Sequence, residues 1–170
     1  MTVDDLLYNS FRMNLQRQIV GEVRGREVLT MIKAMQSGSG SLSTTHSANA
    51  AGAVRKLITC ALEAGADVSL DYATRAISES LHFVVFVSRK DLMVDGVKSR
   101  LRYISEICEV SPSGDSSEGF SVTPIFAVTP QSPYVAVPQF QSAFAEELEP
   151  TIFNRALFTQ QSPYGDRGAA

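Results

Sequence analysis

Ile19 and Val20 form a short apolar run of β-formers that stops at Gly21 and hands the chain directly to a carboxylate, Glu22. A second run, Leu42-Ser43-Thr44-Thr45-His46, alternates weakly and ends on an imidazole. Between them Val28, Leu29, Ile32 and Met35 recur on one stripe of a helix that begins near Arg26. Ser37-Gly38-Ser39-Gly40-Ser41 supplies the permissive backbone that ends it. Strand, helix and strand in that order point to an α/β layered core. If the two strands are neighbours, Glu22 and His46 stand at one sheet edge, with Thr44 and Thr45 beside them. That is the edge where α/β sheets bind ligands.

The chain has 170 residues, the length of one domain with a tail. Hydrophobic residues at 44% and charged residues at 19% place it among globular proteins. Fifteen basic against eighteen acidic residues give a net charge of −3, which argues against a strongly basic nucleic-acid binder. Cys60 and Cys108 stand in dissimilar contexts without a CxxC or a Cys/His cluster, so neither a disulfide framework nor a zinc site is indicated. They read as reduced core thiols of a cytoplasmic protein. The N-terminus lacks a basic stretch followed by an apolar core, so it is no secretory signal. The most apolar run, at 83–87, is far shorter than the roughly 20 residues of a membrane helix.

Further helices are predicted over 4–13, capped by Thr2 or Asp4, over 48–64, closed by Gly65, and over 70–80. The texture then turns β-rich. Residues 82–88 read as a strand buried on both faces, Asp95-Gly96 as a turn, and 101–110 as a second strand. A third, over 120–126, is expected at an edge because Pro124 has no N–H to give a ladder. Lys90, Lys98, Arg100 and Arg102 form a basic cluster about the turn, read first as a solvated hairpin. Beyond 127, Pro130, Pro133 and Pro138 interrupt periodicity; a short helix over 142–148 and a frayed end over 162–170 are expected.

A carboxylate at the end of a buried strand can orient an attacking water or hold Mg²⁺ through water. On its own, a glutamate followed by an arginine is more often a solvated ion pair. The run Phe11-Arg12-Met13-Asn14-Leu15-Gln16-Arg17-Gln18-Ile19-Val20-Gly21-Glu22-Val23-Arg24-Gly25-Arg26-Glu27 closely resembles the Walker B region of the type II/type IV secretion ATPases. The nearest branch is the CpaF-like one, which drives tight-adherence pilus assembly. Gly40-Ser41-Leu42-Ser43-Thr44-Thr45-His46-Ser47-Ala48-Asn49 is similar to the His box that follows in that family.

The resemblance covers about residues 2–126 and implies the C-terminal part of a RecA-like P-loop NTPase core: an incomplete sheet with a β-rich C-terminal segment, and a tail at 127–170. It implies that Glu22 is the catalytic glutamate and touches Mg²⁺, that Arg24 follows it in the motif, and that His46 is the second His-box histidine. Arg12 and Arg17 match arginines leading into Walker B and are candidates for nucleotide contact. It further implies ATP and Mg²⁺ as cofactors, a hexameric ring, secretion or pilus platform proteins as partners, and a place at the inner face of the cell membrane; DNA is not an expected partner.

The departures are specific. Asn14-Leu15-Gln16 replaces Arg-Pro-Asp, and the first His-box histidine falls near Ser39. No G-x-x-x-x-G-K-[ST] occurs, so the backbone cradle and lysine that hold phosphates are not in this sequence. The chain is therefore expected to be the C-terminal portion of a secretion ATPase, inactive in isolation. The alternative is a non-catalytic remnant that packs against full-length ring subunits. A Ser41 or Ser43 hydrolase using His46 and Glu22 is disfavoured by the missing G-x-S-x-G elbow.

Overall fold

The computed structural model describes residues 2–38, 40–94 and 96–148. Ser39, Asp95 and the predicted frayed end at 162–170 lie outside them. The chain divides into two compact units, Met1–His82 with Val110–Val122, and Phe83–Glu109 with Thr123–Ala170.

The first unit begins with α1 (Val3–Ser10), fixed by a capping box. Thr2 Oγ1 accepts the Asp5 N–H and Asp5 Oδ2 accepts the Thr2 N–H at 2.7 Å. The helix stops three residues earlier than the apolar spacing suggested, and Asn14 turns the chain at φ +50°, a left-handed conformation that Asn tolerates. Then come β1 (Arg17–Val20), α2 (Val28–Met35), β2 (Gly40–Ser43), α3 (Ala50–Glu63) and α4 (Leu70–Ser80). Asn49 and Ser69 cap α3 and α4, accepting the N–H groups of Gly52 and Tyr72.

β1 and β2 pair in parallel, Arg17 opposite Gly40 and Val20 opposite Ser43. α2 packs on both strands and on α1, α3 and α4, and α3 packs on α4. Val28, Met31 and Ile32 of α2, with Val54, Leu57 and Ile77, form the buried core. The expectation of a buried first strand is corrected here. Gln18 is buried, whereas Ile19 is 72% exposed and its register partner Leu42 61% exposed. In a two-stranded sheet α2 covers one face, and alternation turns Ile19 and Leu42 to the other.

Most of an antiparallel sheet of order β3-β4-β5-β6 lies in the second unit. β3 (Phe83–Val94) and β4 (Val97–Pro112) form a hairpin longer than the two predicted strands, with a bulge between Phe86 and Val87. β3 was expected to be buried on both faces, but Val85 and Val87 are exposed. An antiparallel sheet needs only one covered face, and these two valines stand on the open one. Expected at an edge, β5 (Phe120–Ala127) instead lies between β4 and the two-residue β6 (Val137–Pro138), which pairs with it at Phe126 and Ala127. α5 (Ala145–Leu148) falls within the predicted 142–148 helix. Buried Glu109 accepts Ser142 Oγ at 2.6 Å and the Ala143 N–H at 3.0 Å, fastening the segment ahead of α5 to β4.

Both cysteines are free and buried. Burial raises the Cys60 thiol and pushes Cys108 up to about 11. Thiolate is the reactive form, so both thiols are expected to resist a disulfide reagent at neutral pH and to react together on unfolding. Stopped-flow labelling with and without denaturant checks this.

Candidate active site

The loops leaving β1 and β2 are stitched together beyond the strands themselves. The Val23 N–H donates to the Thr44 carbonyl at 2.8 Å, Thr44 Oγ1 donates to the Gly21 carbonyl at 2.6 Å, and Thr45 Oγ1 donates to the Val23 carbonyl at 2.8 Å. Val23, fully buried, anchors the loop between two outward-facing side chains. The result brings Glu22, Arg24 and His46 together. Arg24 Nη2 lies 2.6 Å from Glu22 Oε2, and His46 Nε2 lies 3.2 Å from Glu22 Oε1.

The two carboxylate oxygens are not equivalent. Oε2 is committed to Arg24. Oε1 is shut off from solvent and receives no hydrogen bond, although His46 Nε2 lies 3.2 Å away. A buried acceptor without a donor carries a desolvation cost that a further ligand would relieve. Arg24 and His46 are exposed around it.

The hydrogen bond from Arg24 holds the Glu22 carboxyl below the usual carboxylate range, against partial desolvation and with added help from the fields of Arg24, His46 and Lys56. Glu22 in turn raises the Arg24 guanidinium. The carboxylate is thus ionised throughout the neutral range.

Glu27 is the residue the motif reading did not single out. Its Oε1 accepts the N–H groups of Arg24 at 2.5 Å and Gly25 at 3.0 Å, closing the loop on itself just ahead of α2. These amides, the Arg24 one first, lower its carboxyl too. An acidic side chain two residues past a glycine, at a helix start, was the available signal. From α3, Lys56 Nζ donates to the His46 carbonyl at 3.0 Å and Cys60 Sγ to the Arg24 carbonyl at 3.5 Å. Arg17 opens β1 and lies across Gly40, at the opposite end of the strand from Glu22. Four residues lie between them, and five fully extended steps would span about 16 Å. Arg12 lies in the turn before that strand, exposed. The Ser41 and Ser43 hydroxyls are buried without a hydrogen-bond partner, so neither is engaged by a base.

Glu22, Glu27, Asp5 and Asp91 all have lowered carboxyls in the folded chain. Each stabilises the fold fully above the unfolded value near pH 4 and loses that contribution as pH falls through the lower folded value. The raised thiols act at the other end: their contribution is complete below about pH 8.5 and fades above it. The melting temperature is therefore expected to be level from about pH 5 to 8 and to fall on both sides, checked by thermal scans across buffers.

The sequence model of the Type II/IV secretion system protein family matches residues 1–96. The chain belongs to that family. Among solved structures, the VirB11 ATPase from the Brucella suis type IV secretion system, crystallised in complex with sulphate, matches at a TM-score of 0.52 and 25% identity. The match covers 64% of this chain and 32% of VirB11, so the chain spans about a third of that protein's length. No curated protein matches it. The fold is accordingly mixed α/β with incomplete sheets, part of a RecA-like core.

Against that family background the orphaned Oε1 fits a Mg²⁺ ion held through water. Mg²⁺ commonly uses one or two carboxylates and fills its remaining positions with water and phosphate oxygens. Among the described residues no group of three or more His, Cys, Asp or Glu side chains gathers, and such a site needs none. No helix among them is long and apolar enough to cross a membrane.

Proposed function

We propose that this chain is the water-activating portion of a secretion ATPase of the CpaF-like branch, coupling ATP hydrolysis to type II/IV secretion. The observation that carries the proposal is an ionised Glu22 at the ends of two parallel strands, with Arg24 against one carboxylate oxygen and His46 against the other. ATP with Mg²⁺ would supply the phosphoryl group to be transferred. Glu22 would hold the ion through water and accept a proton from the attacking water. Arg24, tied to Oε2, keeps the carboxylate charged and aimed. His46, a neighbour with an exposed ring, would bond a phosphoryl oxygen.

The remaining assignments follow from the family. Residues 1–126 would form the partial ATPase domain and 127–170 an appended tail. Arg12 and Arg17, placed toward the far end of β1, would meet nucleotide bound by a neighbouring subunit of a hexameric ring. The ring would sit at the cytoplasmic face of the cell membrane against secretion or pilus platform proteins. Because the phosphate-cradling loop is not in this sequence, the isolated chain should turn over no ATP at millimolar concentration. Joined to a family segment bearing G-x-x-x-x-G-K-[ST], it should hydrolyse ATP in a Glu22-dependent way. Turnover by the isolated chain, or none by the joined one, would overturn the proposal.

A second reading is favoured by the exposed Ile19 and Leu42 pair: a non-catalytic module packing its open sheet face on full-length ring subunits. Co-purification with a full-length homologue, lost on Ile19→Ser with Leu42→Ser and unaccompanied by turnover, would support it.

A further inference from the structure

Glu27 ties the loop that carries the site to the helix behind it. Its Oε1 accepts the Arg24 N–H at 2.5 Å and the Gly25 N–H at 3.0 Å. The residue is itself fixed from the other side. Val28, next along the chain, is fully buried, and the Glu27 carbonyl accepts the Met31 N–H at 3.0 Å in the first turn of α2. An acidic residue at a helix start is ordinarily explained by capping. Glu27 makes no side-chain capping bond to α2, and the two N–H groups it accepts at these distances both precede the helix.

Arg24 is the residue through which this tie acts. Its N–H goes to Glu27, its carbonyl accepts Cys60 Sγ at 3.5 Å from α3, and its guanidinium lies 2.6 Å from Glu22 Oε2. Two backbone contacts thus set where the Arg24 side chain starts, and that side chain sets one oxygen of Glu22. A second carboxylate this close could compete with Glu22 for the guanidinium, and the charge of Glu27 does act on it. Directed at backbone amides instead, Oε1 leaves the guanidinium to Glu22. Hydrogen bonds to an ionised carboxylate are roughly twice as strong as neutral ones, so the tie is a stiff one.

We propose that Glu27 is a positioning residue: by accepting the Arg24 and Gly25 N–H groups it holds the Arg24 guanidinium against Glu22, and so aims the carboxylate that takes the proton. The kinetic consequence rests on the reading of Glu22 as the proton acceptor; the effect on the Arg24–Glu22 pair does not.

Two substitutions separate reach from charge. Glu27→Gln keeps the length of the side chain and an oxygen acceptor but drops the charge. Glu27→Asp keeps a negative charge at the start of α2 but is one methylene short of the Arg24 N–H. Both should stay folded, checked by melting curves, since aspartate suits a helix start. In the isolated chain at pH 7, carbon-detected NMR should show the Glu22 carboxyl resonance, assigned by its loss in Glu22→Gln, displaced in Glu27→Asp in the same direction as in Arg24→Gln. It should stay in place in Glu27→Gln. The Arg24 and Gly25 amides should exchange with solvent faster in Glu27→Asp alone. In the chain joined to a phosphate-loop segment, Glu27→Asp should lower kcat by about ten- to a hundred-fold, the cost of an ångström-scale misplacement, with KM little changed. Glu27→Gln should keep most of the turnover. A Glu22 resonance and amides indifferent to Glu27→Asp, Glu27→Gln as damaging as Glu27→Asp, or an active joined protein whose kcat ignores Glu27→Asp would each overturn the proposal. A displaced Glu22 resonance in Glu27→Asp, with no turnover from the joined protein before any substitution, would support the tie and overturn the ATPase reading alone.

Discussion

Glu22→Gln is expected to lower ATP turnover of the site, once completed by a phosphate loop, by about 100- to 10,000-fold, the usual span for a positioned proton acceptor. Glutamine keeps the size of the side chain but cannot take a proton, and it leaves the Arg24 guanidinium without its counter-charge. Nucleotide binding should change far less than kcat, because the phosphate loop carries most of it. Steady-state measurement of kcat and KM separates the two. A fall in affinity as large as the fall in turnover would make Glu22 a binding or folding residue instead.

Met31→Ala should destabilise the chain by about 2–5 kcal/mol, the range for truncating a buried methionine, leucine or isoleucine. Met31 is buried on α2, the element that packs on both parallel strands and on three helices of its unit. That loss is a large part of the roughly 5–15 kcal/mol that domains possess. Urea titration should show an earlier midpoint with an unchanged slope. Leu6→Ala, on the exposed side of α1, should shift stability by less than about 0.5 kcal/mol.

The order of strand, helix and strand was legible because Val28, Ile32 and Met35 keep helical spacing between two short β-type runs. The meeting of Glu22 with His46 was legible from the motif and its spacing, and the two threonines before His46 prove to be the stitches that enforce it. Burial was harder to read. Ile19 and Leu42 look like core residues in one dimension, yet a face is covered only if an element packs on it, and α2 takes the other one. The hairpin extended past its predicted ends because Arg89, Lys90 and Asp91 weaken an apolar pattern without weakening backbone pairing. Glu27 escaped notice because its partners are backbone amides, which carry no side-chain signature.

The geometry on which the ATPase proposal rests is open to direct measurement in the chain as it stands, by carbon-detected NMR titration of glutamates labelled at the carboxyl carbon. Glu22, assigned by its loss in Glu22→Gln, should titrate below an ordinary glutamate. Its midpoint should rise in Arg24→Gln and, by less, in His46→Gln. A Glu22 carboxyl that titrates at the ordinary value, indifferent to both substitutions, would contradict the account.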